Sequence, residues 1–153
     1  PPPDFALRYE WQAGSLPPPH HYEYAIHAGP GAQGRIVFRP DYAQHNPPAW
    51  TEPLPVTEET LAGLYRLLQE SAAFTRAWRR PAEVPIGGSY DWLEVTAGGR
   101  VVRVPGQLEA EDAAAIEPVY QAMRELVPQA LWARLMAQRE AFVQAYYDRE
   151  GGQ

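Results

Sequence analysis

The chain has no cysteine and no lysine, and only two methionines in 153 residues. Without cysteine there is no disulfide framework, no thiol nucleophile and no thiolate metal site. Without lysine there is no Schiff-base or lysine-nucleophile chemistry; all 13 basic residues are arginine. Serine is scarce too. Ser15, Ser71 and Ser89 are the only ones, and none sits in a Gly-x-Ser-x-Gly setting. No apolar run approaches the roughly 20 residues of a membrane-spanning helix, so membrane insertion is not expected. Nineteen acidic residues against the 13 arginines leave a formal net charge of −6. Nucleic-acid binding needs a basic footprint, and this balance points away from it. A soluble cytoplasmic protein is expected. The chain begins at Pro1 rather than methionine, which leaves room for a signal peptide removed upstream.

At this length one domain spanning 1–153 is expected, with 1–3 an extended lead-in and 148–153 a frayed tail. From Asp4 to Gln12 the residues alternate, with Phe5, Leu7, Tyr9 and Trp11 on one side and Ala6, Arg8, Glu10 and Gln12 on the other. That is the pattern of a half-buried antiparallel strand. His20 to Ala28 and Arg35 to Arg39 read as two further strands of a meander. The proline-rich stretch Asp41–Val56 reads as a loop with Trp50 folded back onto the body. Thr57 caps a helix whose apolar stripe is Leu61, Leu64, Tyr65, Leu68 and Ala72, with Pro81 as its stop. Ser89–Val95 and Arg100–Val104 form a hairpin around Gly98-Gly99. Ala110–Val127 is helical, lined by Ala113, Ile116, Tyr120, Met123 and Val127; Pro118 marks either its true start or a kink. A last helix runs from Pro128 to about Tyr147. The expected fold is α+β: a mostly antiparallel sheet of about five strands, a three-strand meander plus a hairpin, with two or three helices packed on one face.

Gly29-Pro30-Gly31-Ala32-Gln33-Gly34 spells G-x-G-x-x-G. That fingerprint cradles phosphate only between a strand and a helix. Here strands flank it on both sides, so it reads as a hairpin turn, and no cofactor is expected. The histidines are His20, His21, His27 and His45. His21, Glu23 and His27 share one side of the second strand. Six extended residues span roughly 20 Å, too far for His21 and His27 to share a metal ion. They read as solvated strand-face side chains, and no metal site is expected. Glu10, Glu23 and Glu94 fall on the outer face with Arg8, Arg35, Arg39 and Arg103, as a ladder of charge pairs. No catalytic residue stands out.

Aromatics are in excess: five Trp, nine Tyr and four Phe. If Leu93 and Val95 face the core, Tyr90 and Trp92 point outward. Outward Trp, Tyr and Arg are the residues that dominate binding surfaces. Trp50, Tyr90, Trp92, His21, Glu23, His27 and Arg39 are therefore the candidate binding residues.

One stretch has a familiar segment order. A strand pair precedes the helix that begins Thr57-Glu58-Glu59-Thr60-Leu61 and leads to Ala73-Phe74. Tyr90-Asp91-Trp92-Leu93-Glu94-Val95 and Gly98-Gly99-Arg100-Val101-Val102-Arg103-Val104 follow. From about Tyr22 to Leu126 this resembles small bacterial domains of the emfourin class, protein inhibitors of thermolysin-like metalloproteases. The resemblance implies a protein partner rather than a substrate. It carries over no functional residues, and the loop 41–56 and the helix after Pro128 depart from it. The expected function is a non-catalytic binding domain acting through a protein–protein surface, of inhibitor, immunity or accessory type. The alternative is a ligand-binding or hydrolytic pocket between sheet and helices, using Glu23, His27, Asp41 or His45.

Overall fold

The structure, a computed structural model, describes residues 1–84 and 87–152. Its elements are β1 (Ala6–Gln12), β2 (Glu23–Ala28), β3 (Gly34–Arg39), β4 (Trp50–Pro53), α1 (Glu58–Glu70), β5 (Tyr90–Ala97), β6 (Arg100–Val104), α2 (Ala110–Arg124) and α3 (Gln129–Gly151). The strands form one six-stranded sheet in the order β4-β3-β2-β1-β5-β6. Every neighbouring pair is antiparallel. The α+β class is as expected, with one strand more. That strand is β4, inside the proline-rich stretch read as loop. It can exist because it pairs only with β3, at the sheet edge, where proline is tolerated. Trp50 does fold back, stacking on Phe38.

Period-two alternation sorts the side chains into two faces. Leu7, Tyr9 and Trp11 lie in register with Ala28, Ile26 and Tyr24, and these with Ile36 and Phe38 on β3. Leu93, Val95 and Val104 continue that face across β5 and β6. It forms one core with Leu61, Leu64 and Leu68 of α1, Ile116, Val119, Tyr120 and Met123 of α2, and Leu135 of α3. The helices differ in detail from the sequence expectation. In α2, Asp112 and Val119 take buried positions and Ala113 is exposed. The helix continues through Pro118. Pro118 and Ala114, whose carbonyl loses its usual donor, both face outward, where water can take that bond. α3 extends through Gly151 into the tail expected to fray, while Gln153 lies outside the described residues.

The glycine loop joins β2 to β3 as a hairpin. The Gly29 amide donates to the Gln33 carbonyl and the Gln33 amide to the Gly31 carbonyl. At the β5–β6 turn Gly98 and Gly99 have φ of 59° and 75°. Their amides donate to the Asp4 carboxylate at 2.7 and 2.8 Å.

Thr57 and Thr60 form the capping box of α1. The helix ends at Glu70 rather than near Pro81. The Ala73 amide donates to the Leu68 carbonyl and the Ala72 amide to that of Gln69, the paired bonds of a Schellman motif. Leu68 and Ala73, both buried, supply its apolar contact. Beyond it, buried Asp112 accepts from the Arg79 amide at 2.9 Å and from Arg76 Nη1 at 3.1 Å, tying this segment to the start of α2. The motif places Ala72 at φ 55°, a left-handed conformation that glycine adopts without the Cβ clash. Ala72→Gly should therefore raise stability by about 0.5–1 kcal/mol, the relieved clash outweighing the added freedom of the unfolded chain. Urea denaturation checks this, and a lowered midpoint would refute the assigned backbone.

Candidate functional site

The side chains opposite the core form a second face, and among the described residues the buried helix side chains pack on the core side instead. Three rows cross it. Arg103, Glu94, Arg8, His27 and Arg35 are successive partners across β6, β5, β1, β2 and β3. Trp92, Glu10, Ala25, Val37 and Thr51 form the next row, and Tyr90, Gln12, Glu23 and Arg39 the third. The charge ladder is present: Arg103 Nε lies 3.0 Å from Glu94 Oε2 and Arg8 Nε 3.4 Å from Glu10 Oε1. Trp92 sits beside Arg8, Arg80 and Arg103 in a shallow hollow of about 370 Å³. Four arginines (Arg8, Arg35, Arg39, Arg103) face three glutamates (Glu10, Glu23, Glu94) on this surface. The chain as a whole carries −6, so its acidity lies elsewhere.

The structure brings five of the seven candidate residues onto this face and removes two. Leu93 and Val95 are buried, so Tyr90 and Trp92 do point to the open side. Their rings meet edge to face at 4.8 Å and both are half-buried. Glu23 and Arg39 lie opposite each other in register. Trp50 belongs to the core face. His21 is not a solvated strand residue: it precedes β2 and is 2% exposed. Its ring stacks on Tyr42 at 3.7 Å, with Nδ1 at 3.2 Å from the Gly14 carbonyl and Nε2 at 3.1 Å from Glu23 Oε2. A rigid connector folded over the strand end thus buries a side chain that strand alternation alone would expose. His45 pairs with Asp41 at 3.0 Å, and neither joins His27. Among the described residues no group of three His, Asp or Glu side chains could hold a metal ion.

His27 lies between Arg8 and Arg35, its partners on the two neighbouring strands. Partial burial, then the two guanidinium charges, depress its pKa from 6.5 to about 4. It is neutral at pH 7, so no third positive charge stands between Arg8 and Arg35.

A second polar cluster, on the core side, was not anticipated. Asp91 shares its face of β5 with Leu93 and Val95. The Tyr9 hydroxyl donates to Asp91 Oδ2. Arg124 on α2 donates from Nη1 to the Tyr9 oxygen at 2.9 Å and to Asp91 Oδ2 at 3.4 Å, and from Nη2 to Glu117 Oε1 at 2.6 Å. Burial pushes the Asp91 carboxyl up, partly offset by the Tyr9 bond and the Arg124 charge. Burial, then the bond to Asp91, pushes the Tyr9 phenol up. Beside this cluster, between β5, α2 and the turn after β6, is a cavity of about 250 Å³. Asp91, Glu117, Tyr120, Ser89 and Gln107 give its polar wall. No histidine lines it among the described residues, so Ser89 has no imidazole base beside it. The available signal was parity: a carboxylate two residues before Leu93, on the strand's buried side.

No protein-family model matches the chain, and no curated protein matches it.

Two measurements check these placements. The folded state binds a proton at His27 only below about 4, whereas the unfolded chain binds it below 6.5. Between those values the unfolded state holds more protons, so stability falls as the pH drops through this window. After allowance for solvent screening, wild type should lose about 1 kcal/mol more than His27→Gln between pH 7 and 4, read from urea midpoints. Equal losses would contradict the Arg8–His27–Arg35 row. Tyr120 is 5% exposed and its hydroxyl has no hydrogen-bond partner. Tyr120→Phe should therefore gain about 1 kcal/mol; a loss of that size would mean the hydroxyl is bonded in solution.

Proposed function

We propose that the chain is a non-catalytic binding domain that docks an acidic protein surface on its uncovered sheet face. The observation that carries this reading is the contrast between that face and the rest of the molecule. A six-stranded sheet has helices on one side only, and the bare side is locally basic in an acidic chain. Charge complementarity of this kind steers encounter and sets register. At one end Trp92 and Tyr90 offer half-buried aromatic surface beside Arg8, Arg80 and Arg103, the residue types that anchor interfaces. Glu10 and Glu94 hold Arg8 and Arg103 in place before binding, which lowers the ordering cost. An inhibitor, immunity or accessory role fits this surface. A metalloprotease, the partner of the emfourin class whose segment order the chain resembles, is one target of this kind.

The test uses photo-crosslinking in native lysate, with a cross-linker at Val37 on the open face and at Ala133 on α3 as control. The Val37 protein should give a discrete product joined to an acidic surface of the captured protein. The product should weaken with added salt and be lost in Arg8→Glu/Arg35→Glu, a variant that must melt like wild type. No discrete product, equal capture from Ala133, or indifference to the charge reversal would reject the reading.

A further inference from the structure

We propose that the cavity between β5 and α2 binds a small primary amine, its ammonium group held by Asp91 and Glu117 and its apolar body seated against Leu108 and Ile116. The Tyr120 hydroxyl is enclosed in protein and unpartnered, and Tyr120 lines this cavity. A buried hydroxyl with no bond costs stability, so the chain's own hydrogen bonds leave this wall of the cavity incomplete.

The carboxylates beside it, 26% exposed at Asp91 and 53% at Glu117, each keep one oxygen accessible to a ligand. Asp91 takes both of its bonds, from Tyr9 and Arg124, on Oδ2. Glu117 takes its bond from Arg124 on Oε1. Asp91 Oδ1 and Glu117 Oε2 have no hydrogen-bond donor among the described residues, and both residues line the cavity. Two carboxylates against one guanidinium leave one net negative charge at the wall. An anionic ligand would meet repulsion there, whereas a cation with N–H donors completes both the charge and the bonds. Burial is the main cause of the raised pKa of Asp91, and the neighbouring Glu117 charge adds to it.

The cation is organic rather than metallic. No group of three ligating side chains is placed to hold a metal among the described residues. Leu108, Ile116 and Pro105 give the cavity an apolar side, as ligand sites generally have. At about 250 Å³ it holds the equivalent of about eight waters, which corresponds to an amine of roughly eight to ten non-hydrogen atoms.

The experiment titrates the full chain with phenethylamine, and in parallel with 2-phenylethanol and 3-phenylpropanoate at constant ionic strength, by calorimetry and amide chemical shifts. The amine should bind saturably below about 10 mM, with the alcohol and the carboxylate at least about tenfold weaker. Its shifts should cluster on β5 and α2. Glu117→Gln, half-exposed and outside the core, should weaken the amine about tenfold. Asp91→Asn should weaken it more, and is read only if it melts like wild type. No saturable amine binding, equal binding of all three probes, or amine binding untouched by Glu117→Gln would overturn the proposal.

Discussion

Stacking of Trp11, Tyr24, Phe38 and Trp50 across β1 to β4 is the contact on which the rest of the molecule depends. These four are partners in register, with ring centroids 5.2, 6.4 and 5.7 Å apart and planes within 18° of parallel. Each such pair contributes about 0.5–1.5 kcal/mol beyond the area it buries. A one-residue slip of any strand would move its ring to the other face, so the row also fixes register. α3 is laid across it. Trp132 meets Tyr24 edge-on at 4.9 Å, and the Arg139 guanidinium lies 4.3 Å over the Tyr22 ring. With all the large rings of β1 to β4 on one side, the helices have one place to pack. Over β1 to β4 the other face is left with arginines, glutamates and His27 around the small residues Ala25, Val37 and Thr51.

On β5 the row stops. The partner of Trp11 there is Asp91, where another ring would complete the series. A short carboxylate leaves space, and the cavity lies beside it. A lone buried carboxylate would be costly, and one charge partner with several hydrogen bonds offsets that cost. Tyr9 and Arg124 supply these, and Glu117 satisfies the far side of the guanidinium. The same substitution of a charge for a ring therefore creates both the void and the negative wall around it.

How much of this was legible follows from how local each cause is. β1 was readable because alternation over seven residues needs only backbone geometry. The β5–β6 turn was readable because only glycine fits two successive positive φ angles without strain. β4 was hidden because its proline, Pro53, is tolerated only on an edge, and edge position is a property of the whole sheet. The early end of α1 was hidden because the Schellman turn is made by Ala72, where glycine would have announced it. Asp112 displaces Ala113 from the buried side of α2 because Arg76 and the Arg79 amide, more than thirty residues away in sequence, satisfy it. His21 is covered by Tyr42 from another connector. The Tyr9–Asp91–Arg124 cluster draws on three elements, and only the parity of Asp91 on β5 gave a local sign of it.

The two proposed surfaces read β5 from opposite sides, Trp92 outward and Asp91 inward. β5 is held between β1 and β6 by ladders on both edges, so its backbone has no second arrangement through which occupancy of one side could reach the other. What the surfaces share is at the margin. Tyr90 lines the cavity and also rests edge-on against Trp92. Pro105 lines both hollows. A ligand that fixes the Tyr90 ring removes rotamer freedom that docking at Trp92 would otherwise have to remove. That is favourable coupling through side-chain order alone, without displacement of the sheet. Its size is bounded by the entropy of one aromatic side chain, so the two surfaces are close to independent.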